Sequence, residues 1–98
     1  MSSLEEFRRQ IDAIDERIVA LLGERFAVIR DVAAYKGPRG IPAVLPERVE
    51  EVKDHCAKRA PGAGLDASFV RALYTLVIDE ACRVEERLMA PSDGAAGR

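Results

Sequence analysis

The sequence lacks several features that would each indicate a particular class of protein. It contains no tryptophan, three phenylalanines and two tyrosines, so it offers no platform on which nucleic-acid bases could stack. Its net charge is −2, whereas a general nucleic-acid binder needs a basic face. No apolar run approaches the ~20 residues that cross a bilayer. We therefore expect neither nucleic acid nor a membrane as a partner.

Metal and cofactor motifs are also missing. The two cysteines, Cys56 and Cys82, and the single histidine, His55, have no metal-ligand spacing. Phosphate-binding and dinucleotide-binding motifs are absent. The N-terminal residues are acidic and contain no apolar signal segment. These observations predict a soluble cytoplasmic protein, with reduced cysteines, no metal and no cofactor.

Apolar residues recur at alternating steps of three and four from residue 4 to residue 35, which predicts a long helix. Ser3 and Glu6 form a capping box at its start, and Gly37-Pro38 is expected to end it. Such a helix has about 32 residues and a length of ~48 Å. We call its apolar face the seam; its members are Leu4, Phe7, Ile11, Ile14, Ile18, Leu21, Val28, Val32 and Tyr35.

Two shorter helices follow. Pro46 begins one that reaches about Ala60, and Asp66 is a good N-cap for a third, which continues to about Leu88. We expect an all-α chain of three helices (long, short and medium), with one domain over 1–90 and a flexible tail over 91–98. The two shorter helices cannot cover the whole seam, so the sequence predicts a homodimer.

Cations interrupt the apolar pattern. Arg25 occupies a seam position, and Lys36 follows 11 residues later on the same face, about 16 Å along the axis. The two side chains could lean towards a small anion between them. The alternative is a buried ion pair for Arg25 and a solvated Lys36 at the helix end.

Arg8 precedes Arg25 by 17 residues, or about 25 Å of helix. One small ligand cannot touch both residues of one chain, so Arg8 could serve the same pocket only from an antiparallel second protomer. The alternative is an ordinary surface arginine. Glu85 lies at the margin of the third helix's apolar stripe, where a glutamate either pairs with a cation or holds its proton; an exposed glutamate is the alternative. Glu47 could simply stabilise its helix N-terminus.

Taken together, these segments resemble the all-helical chorismate mutase family over residues 4–89. The resemblance rests on the joint spacing of Arg8, Arg25, Lys36 and Glu47. The segments are 7–18, 21–25, 34–36, 46–48 and the third helix from Leu65-Asp66-Ala67 onward. The resemblance implies an intertwined homodimer in which each pocket takes one arginine from the partner.

The resemblance also implies a reaction, namely a [3,3] rearrangement of a dicarboxylate, chorismate-type enolpyruvyl ether without metal or cofactor. It assigns the carboxylates to Arg25 and the partner's Arg8, and the ether oxygen to Lys36. Glu85 stands where many members have Gln, so it must be protonated to donate a hydrogen bond. Glu47 corresponds to the residue that binds the ring C4 substituent. Ala81 stands where a Ser can occur.

Two narrower resemblances compete. Ile41-Pro42-Ala43 and 46–49 are similar to isochorismate pyruvate lyases. Segments 52–54, 65–69 and 82–85 are similar, over a longer stretch, to 4-amino-4-deoxychorismate mutases. Pro46 and Ala43 replace polar residues of the family near the ring substituent. A mutase of chorismate or its 4-amino analogue is the favoured interpretation, with the lyase and a non-catalytic helical dimer or regulatory module as alternatives.

Overall fold

The computed structural model of the chain describes residues 3–91, and these are almost entirely helical. Helix α1 spans Leu4–Arg39, α2 spans Pro46–Arg59, and α3 spans Ala67–Met89, with a short 3-10 helix at Pro61–Ala63. No strand occurs within the described part of the chain. The prediction of a long, a short and a medium helix is confirmed. The predicted tail, 91–98, lies outside the described residues except for Pro91.

The predicted start signals are present. The Ser3 hydroxyl accepts a hydrogen bond from the Glu6 N–H at 3.1 Å, and the Asp66 carboxylate accepts one from the Phe69 N–H at 3.0 Å. The Ser68 hydroxyl and then the Phe69 N–H lower the pKa of Asp66, because both donate to its charged form. These caps satisfy N–H groups that the first helical turns leave unpaired.

The predicted end of α1 is wrong. The helix continues through Gly37 and Pro38, and stops at Gly40, which has a φ of 68°. The Gly40 N–H donates to the Gly37 carbonyl, and the Ile41 N–H donates to the Lys36 carbonyl. This pair of bonds is a Schellman ending, which requires a residue in the left-handed conformation. Pro38 removes only one N–H from the last turn, so the left-handed glycine decides where the helix ends.

Helix α3 packs against both α1 and α2. The buried core is small and consists of Ala33, Ala60, Val70, Ile78 and Ala81, together with one charged residue, Glu85. Ala33 is the only buried residue of α1, so the core lies at the C-terminal end of that helix. None of the helices in 3–91 has the length and apolar character needed to span a membrane.

The N-terminal half of α1 extends away from this core. Its six seam residues, from Leu4 to Leu21, keep between 48% and 63% of their surface exposed. The radius of gyration is 17.8 Å, whereas a compact domain of this size has a radius of gyration of about 13 Å. The structure therefore leaves the first half of the seam uncovered within one chain.

Candidate active site

A cavity of about 510 Å³ opens where the second half of α1 faces the start of α2 and the second half of α3. This volume is typical of a small-molecule site. Its walls are largely aliphatic, and the charged side chains that line it are Arg25, Lys36, Arg48 and Glu85. The cations exceed the single carboxylate by two positive charges. The cavity therefore has the charge balance that suits a doubly negative ligand.

Arg25 projects from the middle of α1 into this cavity. Its Nη1 atom is buried and has no hydrogen-bond partner among the residues that the structure describes. A buried donor without a partner costs about 1–3 kcal/mol, and more when the group is charged. The alternative of a buried ion pair is not found for Arg25 within 3–91. The guanidinium is therefore poised to bind an anion.

Lys36, in the last turn of α1, is held from two sides. Its Nζ donates to Glu85 Oε1 at 2.8 Å and to the Ala43 carbonyl at 3.0 Å. Only 12% of its side chain is exposed, so the alternative of a solvated lysine is wrong. An ammonium group has three N–H donors, and these contacts use two. The third is available to a ligand in the cavity.

Glu85 is 5% exposed and is the one buried charged residue in the described chain. The alternative of an exposed glutamate is therefore wrong. Its partner is Lys36, which lies 49 residues earlier in the sequence. A buried carboxylate requires such a partner, because desolvation of an isolated charge costs several kcal/mol. The pair places an acidic group and an ammonium side by side at one end of the cavity.

Arg48, in the first turns of α2, is a lining residue that the sequence interpretation missed. It forms a short ion pair with Glu51, and 66% of its side chain is exposed. In the sequence, an arginine three residues before a glutamate indicates an ordinary surface pair. The sequence feature that could have indicated a role for Arg48 in the site was its position next to Glu47, at the start of the helix that Pro46 begins.

The structure does not bring every predicted site residue into the cavity. Ala81 forms part of the wall and is buried. Glu47 is exposed in the first turn of α2 and faces separate surface depressions. Arg8 is also exposed and lies about 25 Å from Arg25 along α1. One chain therefore assembles Arg25, Lys36, Glu85 and Ala81, without Arg8 or Glu47.

Cys82 also lines the cavity. Burial, followed by the nearby Glu85 carboxylate, raises the pKa of its thiol, since both disfavour the thiolate. The side chain therefore acts as a small apolar wall group and not as a nucleophile. Across 3–91, no group of three His, Cys, Asp or Glu side chains is arranged to hold a metal ion.

Comparison with known proteins identifies the family. The family model described as chorismate mutase type II matches residues 7–86, which cover most of α1 and α3, all of α2 and every residue that lines the cavity. The chain belongs to the type II chorismate mutase family. The resemblance inferred from the residues is thus confirmed, and the chain is an isomerase.

Three proteins with similar sequences differ from one another in the activity that their names give. The chain is 37% identical over 89 residues to a 4-amino-4-deoxychorismate mutase of Streptomyces venezuelae, covering 91% of this chain and 86% of that protein. It is 32% identical over 92 residues to a 4-amino-4-deoxychorismate mutase of Streptomyces pristinaespiralis, covering 94% and 70%. It is 37% identical over 78 residues to an isochorismate pyruvate lyase of Pseudomonas aeruginosa, covering 79% and 75%.

Proposed function

We propose that this chorismate mutase-type isomerase rearranges a chorismate-type enolpyruvyl ether, with 4-amino-4-deoxychorismate as the preferred substrate and chorismate as the second. The products are 4-amino-4-deoxyprephenate and prephenate. The observation that carries the proposal is the unpaired Nη1 of Arg25, a residue that lines a cavity with three cationic side chains and one carboxylate. A dicarboxylate supplies an acceptor for the Arg25 guanidinium and negative charge for a cavity in which cations predominate.

In this proposal, the binding residues restrict the substrate to its reactive shape. The rearrangement requires the enolpyruvyl side chain to lie folded over the ring, so that the two carbon atoms that join are close together. Cations that bind both carboxylates hold this conformation. The substrate therefore loses its conformational freedom when it binds, and not during the chemical step as in the uncatalysed reaction. Arg25 binds one carboxylate, and the bidentate geometry of its guanidinium also fixes the orientation.

Charge stabilisation at the ether oxygen supplies the second part of catalysis. Negative charge accumulates on this oxygen as its bond to the ring carbon breaks. Lys36, which lines the cavity and has one N–H donor left, donates to this oxygen in the proposal, and Glu85 beside it adds a second donor when protonated. Donors placed where charge develops stabilise the transition state more than the ground state. Neither residue forms a covalent intermediate with the substrate.

We further propose that the active enzyme is an intertwined homodimer and that the partner's Arg8 completes each cavity. The exposed first half of the seam supports this proposal, because six large apolar residues in one helical row require a cover. An antiparallel second α1 would cover them and would carry Arg8 across the ~25 Å that separates it from Arg25 on one chain. The partner's Arg8 then binds the second carboxylate.

The preference for the 4-amino substrate rests on the start of α2 and on the two Streptomyces relatives. An ammonium group at C4 is a donor only, so it needs an acceptor. Glu47 is the proposed acceptor; it lies outside the cavity of the single chain, so its side chain must turn towards the adjoining Arg48, which lines the cavity. Pro46 and Ala43 offer no side-chain hydrogen bond to a C4 hydroxyl.

Separate incubations of the purified protein with 4-amino-4-deoxychorismate, chorismate and isochorismate, followed by mass spectrometry, test this proposal. We expect an isomer of unchanged mass from the first two compounds, with the higher kcat/KM for the amino compound. A higher kcat/KM for chorismate would overturn the substrate preference. No turnover of any compound by an intact dimer would instead favour the non-catalytic dimer.

The lyase is the second candidate, because the Pseudomonas aeruginosa lyase is also 37% identical and shares the Ile41-Pro42-Ala43 type of loop. The same cavity could bind isochorismate through its two carboxylates. Release of pyruvate with salicylate from isochorismate alone, without an isomeric product from the other two compounds, would select this function.

A further inference from the structure

The guanidinium of Arg25 needs support that does not come from an acidic residue. Lys36 has a carboxylate and a carbonyl to fix its ammonium group, whereas Nη1 of Arg25 has no hydrogen-bond partner in the described chain. An unsupported arginine side chain would sample many rotamers, and ordering it on binding would weaken the affinity for the substrate. The structure therefore raises the question of which group orients Arg25.

Tyr74 is the aromatic neighbour of this guanidinium. It lies on α3, and its ring centroid is 5.9 Å from Cζ of Arg25, which is within the range of a cation–π interaction. Tyr74 is half-buried and is not among the residues that line the cavity. The ring therefore lies near the Arg25 guanidinium without forming part of the cavity wall.

The Tyr74 side chain does not offset the charge of Arg25. Burial, and then the Cys56 thiol, raise the pKa of Tyr74 against a smaller lowering by Arg25, so the phenol is neutral at physiological pH. A neutral phenol does not compete with a substrate carboxylate as an anionic partner of Arg25.

We propose that Tyr74 is a positioning residue that orients the Arg25 guanidinium for the substrate carboxylate through its aromatic ring. This inference rests on the proposed role of Arg25. An aromatic face attracts the cation without accepting the in-plane N–H donors, so these donors remain available for a bidentate bond to a carboxylate. A glutamate at this position would orient Arg25 equally well, but it would have to be displaced by the substrate.

Replacing the ring tests the proposal. Tyr74→Leu keeps an apolar side chain of moderate size but removes the ring. We expect KM to rise about 3- to 30-fold, the range that corresponds to a cation–π contact. We expect kcat to change less than threefold, because Arg25 binds the carboxylate equally in the ground and transition states. Tyr74→Phe keeps the ring and should stay within twofold of the wild type.

A series of fluorinated phenylalanines at position 74 distinguishes loss of the cation–π interaction from a folding defect in Tyr74→Leu. Phenylalanine with one, two or three ring fluorines at position 74 has nearly the same shape but a progressively weaker negative face. We expect log KM to rise steadily along this series while Tm stays constant. If the ring only fills space between the helices, KM stays constant along the series, and that result would overturn the proposal.

An Arg25→Lys background separates this inference from the proposed function. If Tyr74 acts by orienting Arg25, Arg25→Lys lowers kcat/KM, and adding Tyr74→Leu to Arg25→Lys lowers it little further. Loss of activity in Arg25→Lys together with a full additional effect of Tyr74→Leu would overturn only the positioning role. Unchanged kcat/KM in both Arg25→Lys and Arg25→Ala would overturn the role of Arg25, and with it both proposals.

Discussion

The two halves of α1 differ in what covers them. In the second half, α3 packs on the helix, Ala33 is buried, and Arg25 and Lys36 line the cavity. In the first half, the six seam residues remain about half exposed. Val28 and Tyr35 of the seam also stay 60% and 57% exposed in the second half, so α1 packs within the chain through residues beside the seam, such as Ala33, and the seam itself calls for a second chain.

This difference separates the parts of the site that one chain provides from those that it does not. The residues proposed to contact the ether oxygen, Lys36 and Glu85, are fixed within one chain by an ion pair between α1 and α3. The proposed binding of the second carboxylate by the partner's Arg8 depends on the uncovered half. Variants in the first half should therefore act through assembly, and variants in the second half through binding and chemistry.

The largest effect is expected from a charge placed on the uncovered seam. Ile14→Asp would bury an unpaired carboxylate between the two helices, at a cost of several kcal/mol. We expect dissociation to monomers in sedimentation and at least a ~100-fold loss of kcat/KM. Val19→Asp is the matched control, because Val19 is also exposed on α1 but lies off the seam. Equal effects of the two substitutions would contradict the assignment of the seam as the interface.

The next effect is expected at Glu85. Glu85→Ala removes the proposed second donor to the ether oxygen and also the ion-pair partner of Lys36, so kcat should fall on the order of 100-fold. Glu85→Gln keeps a side chain of the same length with an N–H donor and should retain most of kcat. Glu86→Gln, at an exposed neighbouring position, should leave kcat unchanged. A wild-type kcat in Glu85→Ala would refute the donor role of Glu85.

A moderate effect is expected at the mouth of the cavity. Arg48→Ala removes a cation that is mostly exposed, so its electrostatic contribution is partly screened by solvent. We expect KM to rise about 3- to 10-fold, with kcat nearly unchanged. Arg83→Ala removes a comparable exposed arginine, paired with Glu80 on α3, that does not line the cavity. It should leave KM unchanged, and a similar rise would indicate a general charge effect.

The smallest effects concern the stability of α1. Gly40→Ala forces a side chain into a left-handed conformation and should destabilise the protein by about 1 kcal/mol. Gly23→Ala lies inside the helix with open space around its added methyl group, and should stabilise by about 0.5–1 kcal/mol. Denaturant unfolding checks both. Equal effects would mean that Gly40 does not determine the helix end.

Local patterns made most of the fold predictable. The seam spacing and the Ser3, Pro46 and Asp66 signals gave three helices of the right order and length, because caps and apolar periodicity are properties of neighbouring residues. The error at Gly37-Pro38 arose because a proline often ends a helix, whereas here the left-handed glycine two residues later does so. Hydrogen bonds to carbonyls, not the proline ring, decided that boundary.

Helical spacing alone predicted only the site residues that share one helix, whereas the roles of Glu85 and Ala81 on α3 came from the family resemblance. The 11-residue spacing placed Arg25 and Lys36 on one face of α1, and both line the cavity. The pairing of Lys36 with Glu85 joins residues 49 positions apart, which periodicity cannot show. Arg48 resembled a surface ion pair in the sequence. No sequence pattern indicated that Tyr74 lies near Arg25, because this proximity depends on how α3 packs against α1.

Complementation between two inactive variants tests most directly whether the site is shared between chains. Arg8→Ala and Arg25→Ala should each be inactive alone, since every cavity then lacks one arginine. After the two variants are unfolded together and refolded in equal amounts, half of the dimers are mixed, and each mixed dimer has one complete cavity. We expect about one quarter of wild-type activity. No recovery in a sample shown by mass spectrometry to contain mixed dimers would contradict the shared site.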